Sequence, residues 1–310
     1  MLHMVKQVNA TPASAGWKLW VKTARPVSLS ASISPILVGT AIAGYQHRFS
    51  SLLFALTLLS SVLLQIGVNY FNEYFDHRYG LDTEQSLGAS TVIFQGTMTA
   101  GQVLTGAIGS FALAALLGLV LIVLIGPQIL LFGLAAIAIG YFYSARPFTL
   151  AARGLGDPLV YLAMGFLMVW GAYYVQTRAW SWGAFAASVP IGFLVVAILN
   201  MNNLRDYPDD RAVNKRTVVV RFGMLAGRRY QSALVIGAYL ITTVAAIAGL
   251  LPLATLAVWI TFPLAWPIVR MSLTATDPGA FVAGMKQISL LHLVFGVVLA
   301  ASILVAALVA

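Results

Sequence analysis

The chain contains no cysteine, which removes disulfide frameworks, thiolate metal sites and cysteine nucleophiles from consideration. Acids are nearly as scarce, with nine Asp and Glu among 310 residues against 18 Lys and Arg. Charged residues make up 9% of the chain, where a soluble globular protein carries about a quarter. There is no separate polar domain or long linker, and most connections between apolar stretches are short. The alternating segments of about ten residues that build a membrane β-barrel are absent as well. The first 16 residues lack the apolar centre of a cleaved signal and read as a flexible tail.

What the chain has is hydrophobicity: 60% apolar residues and a mean hydropathy of +0.89. A helix crosses a bilayer with about 20 mostly apolar residues. Nine segments qualify, near 27–45, 51–70, 103–125, 128–144, 157–176, 183–202, 230–250, 252–270 and 288–309. The reading is an all-α, polytopic membrane protein of nine transmembrane helices, a single domain over 1–310. Residues 1–23 form the tail and an interfacial segment, in which Trp17, Lys18, Trp20 and Lys22 suit a short helix on the membrane surface. With the N-terminus inside, 16 of the 18 basic residues fall on the inner side and only Arg48 and Arg178 on the outer. That bias sets the N-terminus in the cytoplasm and the C-terminus outside a cell (inner) membrane. It also explains the net charge of +9 without nucleic acid as a partner.

The few acids are gathered in two places. Glu73, Asp76, Asp82 and Glu84 lie in and just after "NYFNEYFDHRYGLD" at 69–82; Asp206, Asp209 and Asp210 lie in "NMNNLRDYPDDRAVNKRT" at 200–217. Only Asp157 and Asp277 lie elsewhere. The stretches open two long inner loops, 71–102 and 203–229, expected as cytoplasmic caps. Asn72 and Asp76 are four apart, as are Asn202 and Asp206, so each pair stacks on one helical face. Asn69, Asn72 and Asp76 form one stripe, and Gly80 permits a bend that returns Asp82 toward it. Pro208 biases Tyr207 out of the helical region, ending the sixth helix near Asp206 and opening a short turn with Asp209 and Asp210.

A helix C-terminus already carries partial negative charge, so several carboxylates there call for a multivalent cation. Oxygen and amide donors point to Mg2+, held by one or two carboxylates, waters and substrate phosphates. Arg205, Arg211, Lys215 and Arg216 stand beside the acids, suited to phosphate oxygens. Tolerance of charge in loops explains scattered acids. It explains poorly seven of nine in two matching Asn-x-x-x-Asp settings that reach into membrane helices.

The two stretches resemble the aspartate-rich motifs of the UbiA superfamily of intramembrane prenyltransferases. "ARPVSLSASISPILVGTAIA" at 24–43 and "YFYSARPFTLAARGLGDP" at 141–158 extend the resemblance over most of the chain. The spacing of Asn72, Glu73, Asp76 and Asp82 is most similar to the menaquinone branch, the 1,4-dihydroxy-2-naphthoate polyprenyltransferases; Asn214 stands where that branch usually has Gly. The resemblance implies that a polyprenyl diphosphate loses diphosphate and its allylic cation alkylates dihydroxynaphthoate, with loss of CO2. It implies Asn72, Asp76, Asp82, Asn202, Asp206 and Asp210 as Mg2+ ligands, with Asp76 and Asp206 essential to turnover. Arg205 and Lys215, then Arg78, Arg146 and Ser144, are the substrate contacts.

Other features carry two readings each. Tyr141, Tyr143 and Ser144 end the fourth span; Tyr141 is the candidate to stabilise the cation through its ring face, though tyrosines also mark membrane interfaces. Asp157-Pro158 reads as a capped helix start with a functional role left open. His292, alone inside the last span, reads as a packed side chain. Other acceptors within the superfamily (4-hydroxybenzoate, homogentisate, chlorophyllide, a glyceryl phosphate) stay open, and a cation-coupled transporter leaves the basic residues unexplained.

Overall fold

The computed structural model describes residues 16–78, 91–144, 148–277 and 279–309, so Asp82, Arg146 and the side chain of Ser144 lie outside the described residues. Regular structure among the described residues is helical throughout. A short α1 (Trp17–Thr23) matches the interfacial helix read from the sequence. It leads into α2 (Pro26–Tyr45), α3 (Ser51–Arg78), α4 (Ala100–Ile125), α5 (Ile129–Ser144) and α6 (Ala151–Thr177). Then come α7 (Trp182–Arg205), α8 (Tyr207–Ala212), α9 (Val218–Phe222), α10 (Met224–Ile247), α11 (Leu253–Thr274) and α12 (Ala280–Val309).

Helices dominate because a backbone surrounded by lipid must satisfy its N–H and C=O groups internally. Eight of these helices are long and apolar enough to cross a membrane; the apolar stretch of α5, Ile129–Tyr143, is shorter. Large side chains such as Val123, Ile247 and Leu308 stand exposed on the outer faces, as lipid-facing positions should. The core lies where α2, α6, α7, α10 and α12 meet, around Val38, Leu194, Met201, Tyr239 and Phe295. Gly39 lets α2 touch the α6 backbone: a Cβ there would sit 2.1 Å from the Val169 carbonyl oxygen. His292 is fully buried beside α2, whose Ser34 hydroxyl donates to the His292 carbonyl at 3.1 Å.

Chain direction brings the two acidic stretches to one end. Ser50 and Gln176 exchange hydrogen bonds of 2.7 and 3.2 Å, joining the start of α3 to the end of α6. Only residues 178–181 separate α6 from α7, so α7 starts at the same face as α3. Both helices therefore deliver their C-termini to the opposite face, and both pack against α2 on the way. At 28 residues α3 is about 42 Å long, against a hydrocarbon core of about 30 Å. Its last turns, Asn72 to Arg78, thus extend past an apolar layer that its first turns enter.

The segments read as loops are more ordered than expected. Helix α3 continues unbroken through 71–78, and Thr99 and Gln102 form a reciprocal cap that starts α4. Between 203 and 229 the chain makes α8 and α9 before α10 begins, with Thr217 capping α9. Polar residues stay helical here because short helices satisfy backbone groups that a loop would leave to water.

Candidate active site

On the last turns of α3 the polar side chains divide into two sets. Asn69 is buried and donates to the Ala24 carbonyl and the Ser28 hydroxyl at 2.7 and 2.8 Å, tying α3 to the start of α2. Glu73 has no exposed surface; its carboxylate lies 3.5 Å from Arg25 and accepts the Ile93 N–H at 3.4 Å. Arg25 itself sits at φ +51, with its Nε buried and without a hydrogen-bond partner. Asn72, by contrast, is exposed, and Asp76 is half-buried. The expected stripe of Asn69, Asn72 and Asp76 is thus split: Asn69 and Glu73 hold the helix in place, while Asn72 and Asp76 are reachable.

The end of α7 repeats this division. Asn200 is buried and donates to the Gly227 carbonyl and to Gln231 on α10. Asn203 is also buried, whereas Asn202 and Asp206 are half-buried. Asp206 stands at the junction of α7 and α8, where one helix ends and a short one begins as the sequence predicts, although Tyr207, expected outside the helical region ahead of Pro208, is the first residue of α8. Arg205 grips it with two parallel bonds, Nε to Oδ1 at 2.6 Å and Nη2 to Oδ2 at 2.7 Å. Asp210 is buried against Lys215, whose Nζ donates to both carboxylate oxygens at 2.9 and 3.2 Å. Burial pushes the Asp210 carboxyl above the usual range, opposed by the neighbouring ammonium. Asp209, Arg78 and Arg211 are exposed.

A third segment closes on the second motif. Asn214 adopts φ +56, the left-handed turn that Asn tolerates in place of Gly. Beyond it, the Arg216 N–H donates to the Ala152 carbonyl at 2.7 Å. Gly154, at φ +92, makes this possible, since a Cβ there would come within 2.7 Å of the Arg216 carbonyl oxygen. Helix α6 is kinked at Gly154, whose backbone is non-helical, and is wound wide at 161–167, a form found often at functional sites. Between the kink and the wide turn lies Asp157. Its side chain makes no cap; it lies beside the Tyr230 hydroxyl of α10. Tyr143, Asp157, Asn203, Lys215 and Thr217 line a cavity of ≈ 20 Å³, room for one water.

Tyr141, favoured from the sequence, is 56% exposed and packs on Phe142, outside this cavity. Tyr143, two residues on, lines it. Sequence reasoning also passed over Arg25, Asn203 and Tyr230, which carry no spacing signal and gain meaning only from what they touch. Among the described residues no three His, Asp or Glu converge as a ready metal cage. The reachable donors are amide and carboxylate oxygens, a set that fits an ion keeping most of its waters and completing its shell with substrate phosphates, as Mg2+ does.

Comparison with known proteins bears on the family and the fold. The match to the UbiA prenyltransferase family covers residues 32–291. The chain is 30% identical over 292 residues to 1,4-dihydroxy-2-naphthoate octaprenyltransferase from Bacillus subtilis, covering 94% of both. It is 30% identical over 294 residues to 2-carboxy-1,4-naphthoquinone phytyltransferase from Synechocystis, covering 93% and 94%. A solved UbiA homolog from Archaeoglobus fulgidus, bound to GPP and Mg2+, shares the fold: TM-score 0.60, 18% identity, 91% of this chain and 99% of that one. With both acidic helix ends at one face of a lipid-exposed bundle, and with the family match running over most of its length, the chain belongs to the UbiA prenyltransferase family.

Proposed function

We propose that this protein transfers a polyprenyl group from a polyprenyl diphosphate to 1,4-dihydroxy-2-naphthoate, releasing diphosphate and CO2. The observation that carries this reading is the two reachable Asn and Asp pairs at one end of the bundle, with Arg205 and Lys215 held against the second. The acceptor comes from the relatives. Two that align over nearly the whole chain are named for naphthoate-type acceptors but for different prenyl groups, so the acceptor class is what they share.

In this reading Asn72, Asp76 and Asp82 from the first motif and Asn202, Asp206 and Asp210 from the second hold Mg2+, directly or through water. Bound there, Mg2+ supplies positive charge against the departing diphosphate. Arg205 and Lys215 donate to phosphate oxygens, supported by Arg78, Arg146 and Ser144. Tyr143 replaces Tyr141 as the ring that faces the allylic cation, because it lines the cavity beside the second motif. The surrounding helices exclude the water that would quench that cation. The bundle crosses the membrane nine times, α5 included, with the N-terminus cytoplasmic, the C-terminus outside and the site at the cytoplasmic face. The basic residues on that side support this orientation. The partners are then the two substrates and the bilayer.

The test is a panel. Purified protein receives labelled polyprenyl diphosphate, Mg2+ and, in turn, dihydroxynaphthoate, 4-hydroxybenzoate and homogentisate. A decarboxylated prenyl-naphthalenediol as the main product supports the reading. Turnover as good or better with another acceptor overturns it.

A further inference from the structure

Asp157 is one of two acids outside the motifs, and the one that lines the cavity beside them. One of its carboxylate oxygens, Oδ2, is buried without a hydrogen-bond partner, and the Tyr230 hydroxyl of α10 stands beside the group. A buried carboxylate oxygen left bare is costly, so a donor is missing from this position. The cavity it lines is ≈ 20 Å³ and bounded by Tyr143, Asn203 and Lys215. That volume suits one hydroxyl or water, not a diphosphate. The cation that lines it, Lys215, is already committed to Asp210. A neutral O–H donor suits Oδ2 better than a second cation.

Resting on the acceptor assignment above, we propose that Asp157 recognises the aromatic substrate, accepting a hydrogen bond from the ring hydroxyl adjacent to its carboxylate-bearing carbon. The chemistry gives that contact a purpose. The allylic C–O bond breaks with its electron pair leaving on diphosphate, and a C–C bond forms to the ring carbon that bears the carboxylate. The ring–carboxylate bond then breaks, CO2 departs and its electron pair restores the aromatic ring, so no net proton is transferred. The adjacent hydroxyl feeds electron density to the attacked carbon, more so when its proton is shared with an anion in a water-poor setting. Asp157 therefore serves as a polarising and orienting acceptor, and Tyr230 as its positioning residue.

The experiment crosses enzyme variants with substrate variants. In Asp157→Asn, kcat/KM should fall about 10- to 100-fold for dihydroxynaphthoate and for 1-hydroxy-2-naphthoate, the effect of losing one charge-assisted hydrogen bond. 4-Hydroxy-2-naphthoate lacks the contacted hydroxyl and with it the activation of the carboxylate-bearing carbon, so it is read as a competing ligand, and its inhibition constant against dihydroxynaphthoate in the same variant should stay within about twofold of wild type. Binding of an unreactive thio-analogue of the prenyl diphosphate should not change. Tyr230→Phe should show the same selectivity at smaller amplitude, and it carries the test if Asp157→Asn does not fold. A comparable loss with all three ring ligands, no loss, or weakened thio-analogue binding overturns the proposal. Wild-type protein that ignores dihydroxynaphthoate yet prenylates another phenol overturns the acceptor assignment instead; the same hydroxyl-deletion comparison on that phenol then decides Asp157.

Discussion

Replacing Glu73 with Gln separates a structural acid from a metal ligand inside one motif. The side chain is fully buried, 3.5 Å from Arg25 and 3.4 Å from the Ile93 amide nitrogen. At 3.5 Å and an effective dielectric near 20, the gross attraction is about 5 kcal/mol, much of it offset by desolvation of the carboxylate. Gln preserves the shape and can still accept from Ile93. What it loses is the counter-ion of Arg25, whose Nε and Nη2 are buried and otherwise unpartnered. Stripping one member from a buried pair costs about 3–5 kcal/mol. The Arg25 side chain keeps 25% of its surface in solvent, so water recovers part of that and about 2–3 kcal/mol remains. Denaturant unfolding in detergent micelles should show that loss. Arg25→Gln should lose a similar amount, and the double variant clearly less than the sum. The apparent Mg2+ requirement for turnover should stay within about threefold, since a ligand acid would cost far more. Unchanged stability with a tenfold or larger loss of Mg2+ affinity would make Glu73 a metal ligand and refute the reasoning.

Asp76→Ala and Asp206→Ala should each lower turnover by at least about a thousandfold while the protein still reaches the membrane folded; Asp206→Ala also strands Arg205, whose side chain is 13% exposed, so its unfolding free energy should fall by about 1–3 kcal/mol. Normal turnover in both removes the metal assignment. Gly154→Ala should destabilise the protein by about 1–3 kcal/mol, for its φ of +92 and the Arg216 carbonyl oxygen leave no room for a methyl group. It should also raise KM for the prenyl diphosphate, since the displaced strand carries Lys215; a thermal melt and steady-state kinetics check both. Mg2+ and the thio-analogue of the prenyl diphosphate should bind cooperatively, each improving the other by about 5- to 150-fold in calorimetry. Independent binding would mean that the Arg205–Asp206 and Lys215–Asp210 pairs persist in the complex.

The sequence announces spans, faces and motifs because these depend on local patterns. Apolar runs, the helix end at Asp206 and Asn214 in a turn all have short-range causes; the structure keeps the helix end and the turn, and it makes eight of the nine runs into helices long enough to cross a membrane. What it hides is the rotation of a side chain about its own helix. Asn69, Asn72, Glu73 and Asp76 all lie within eight residues, yet two are buried in packing and two are reachable, because neighbouring helices choose the face. Tyr141 and Tyr143 differ for the same reason: two residues turn a helix by about 200°, and only Tyr143 meets the cavity. Asp157 was legible as a helix start, whereas its partner Tyr230 lies 73 positions away and leaves no trace in spacing.

The electrostatics of the site also differ from what the acids alone imply. Their concentration at helix C-termini calls for positive charge, and a divalent ion is one way to supply it. In the folded chain much of that charge comes from within: Arg25 for Glu73, Arg205 for Asp206 and Lys215 for Asp210. These pairs offset the crowded acids, and in the proposed site they restrict what the ligand can be. A free cation approaching Asp206 or Asp210 meets a bound guanidinium or ammonium, and a free anion approaching Arg205 or Lys215 meets a bound carboxylate. Only a ligand that brings both signs at once gives every group a new partner as it breaks the old pairs. A diphosphate carrying divalent ions meets that condition, and neither a lone metal ion nor a simple transported cation does.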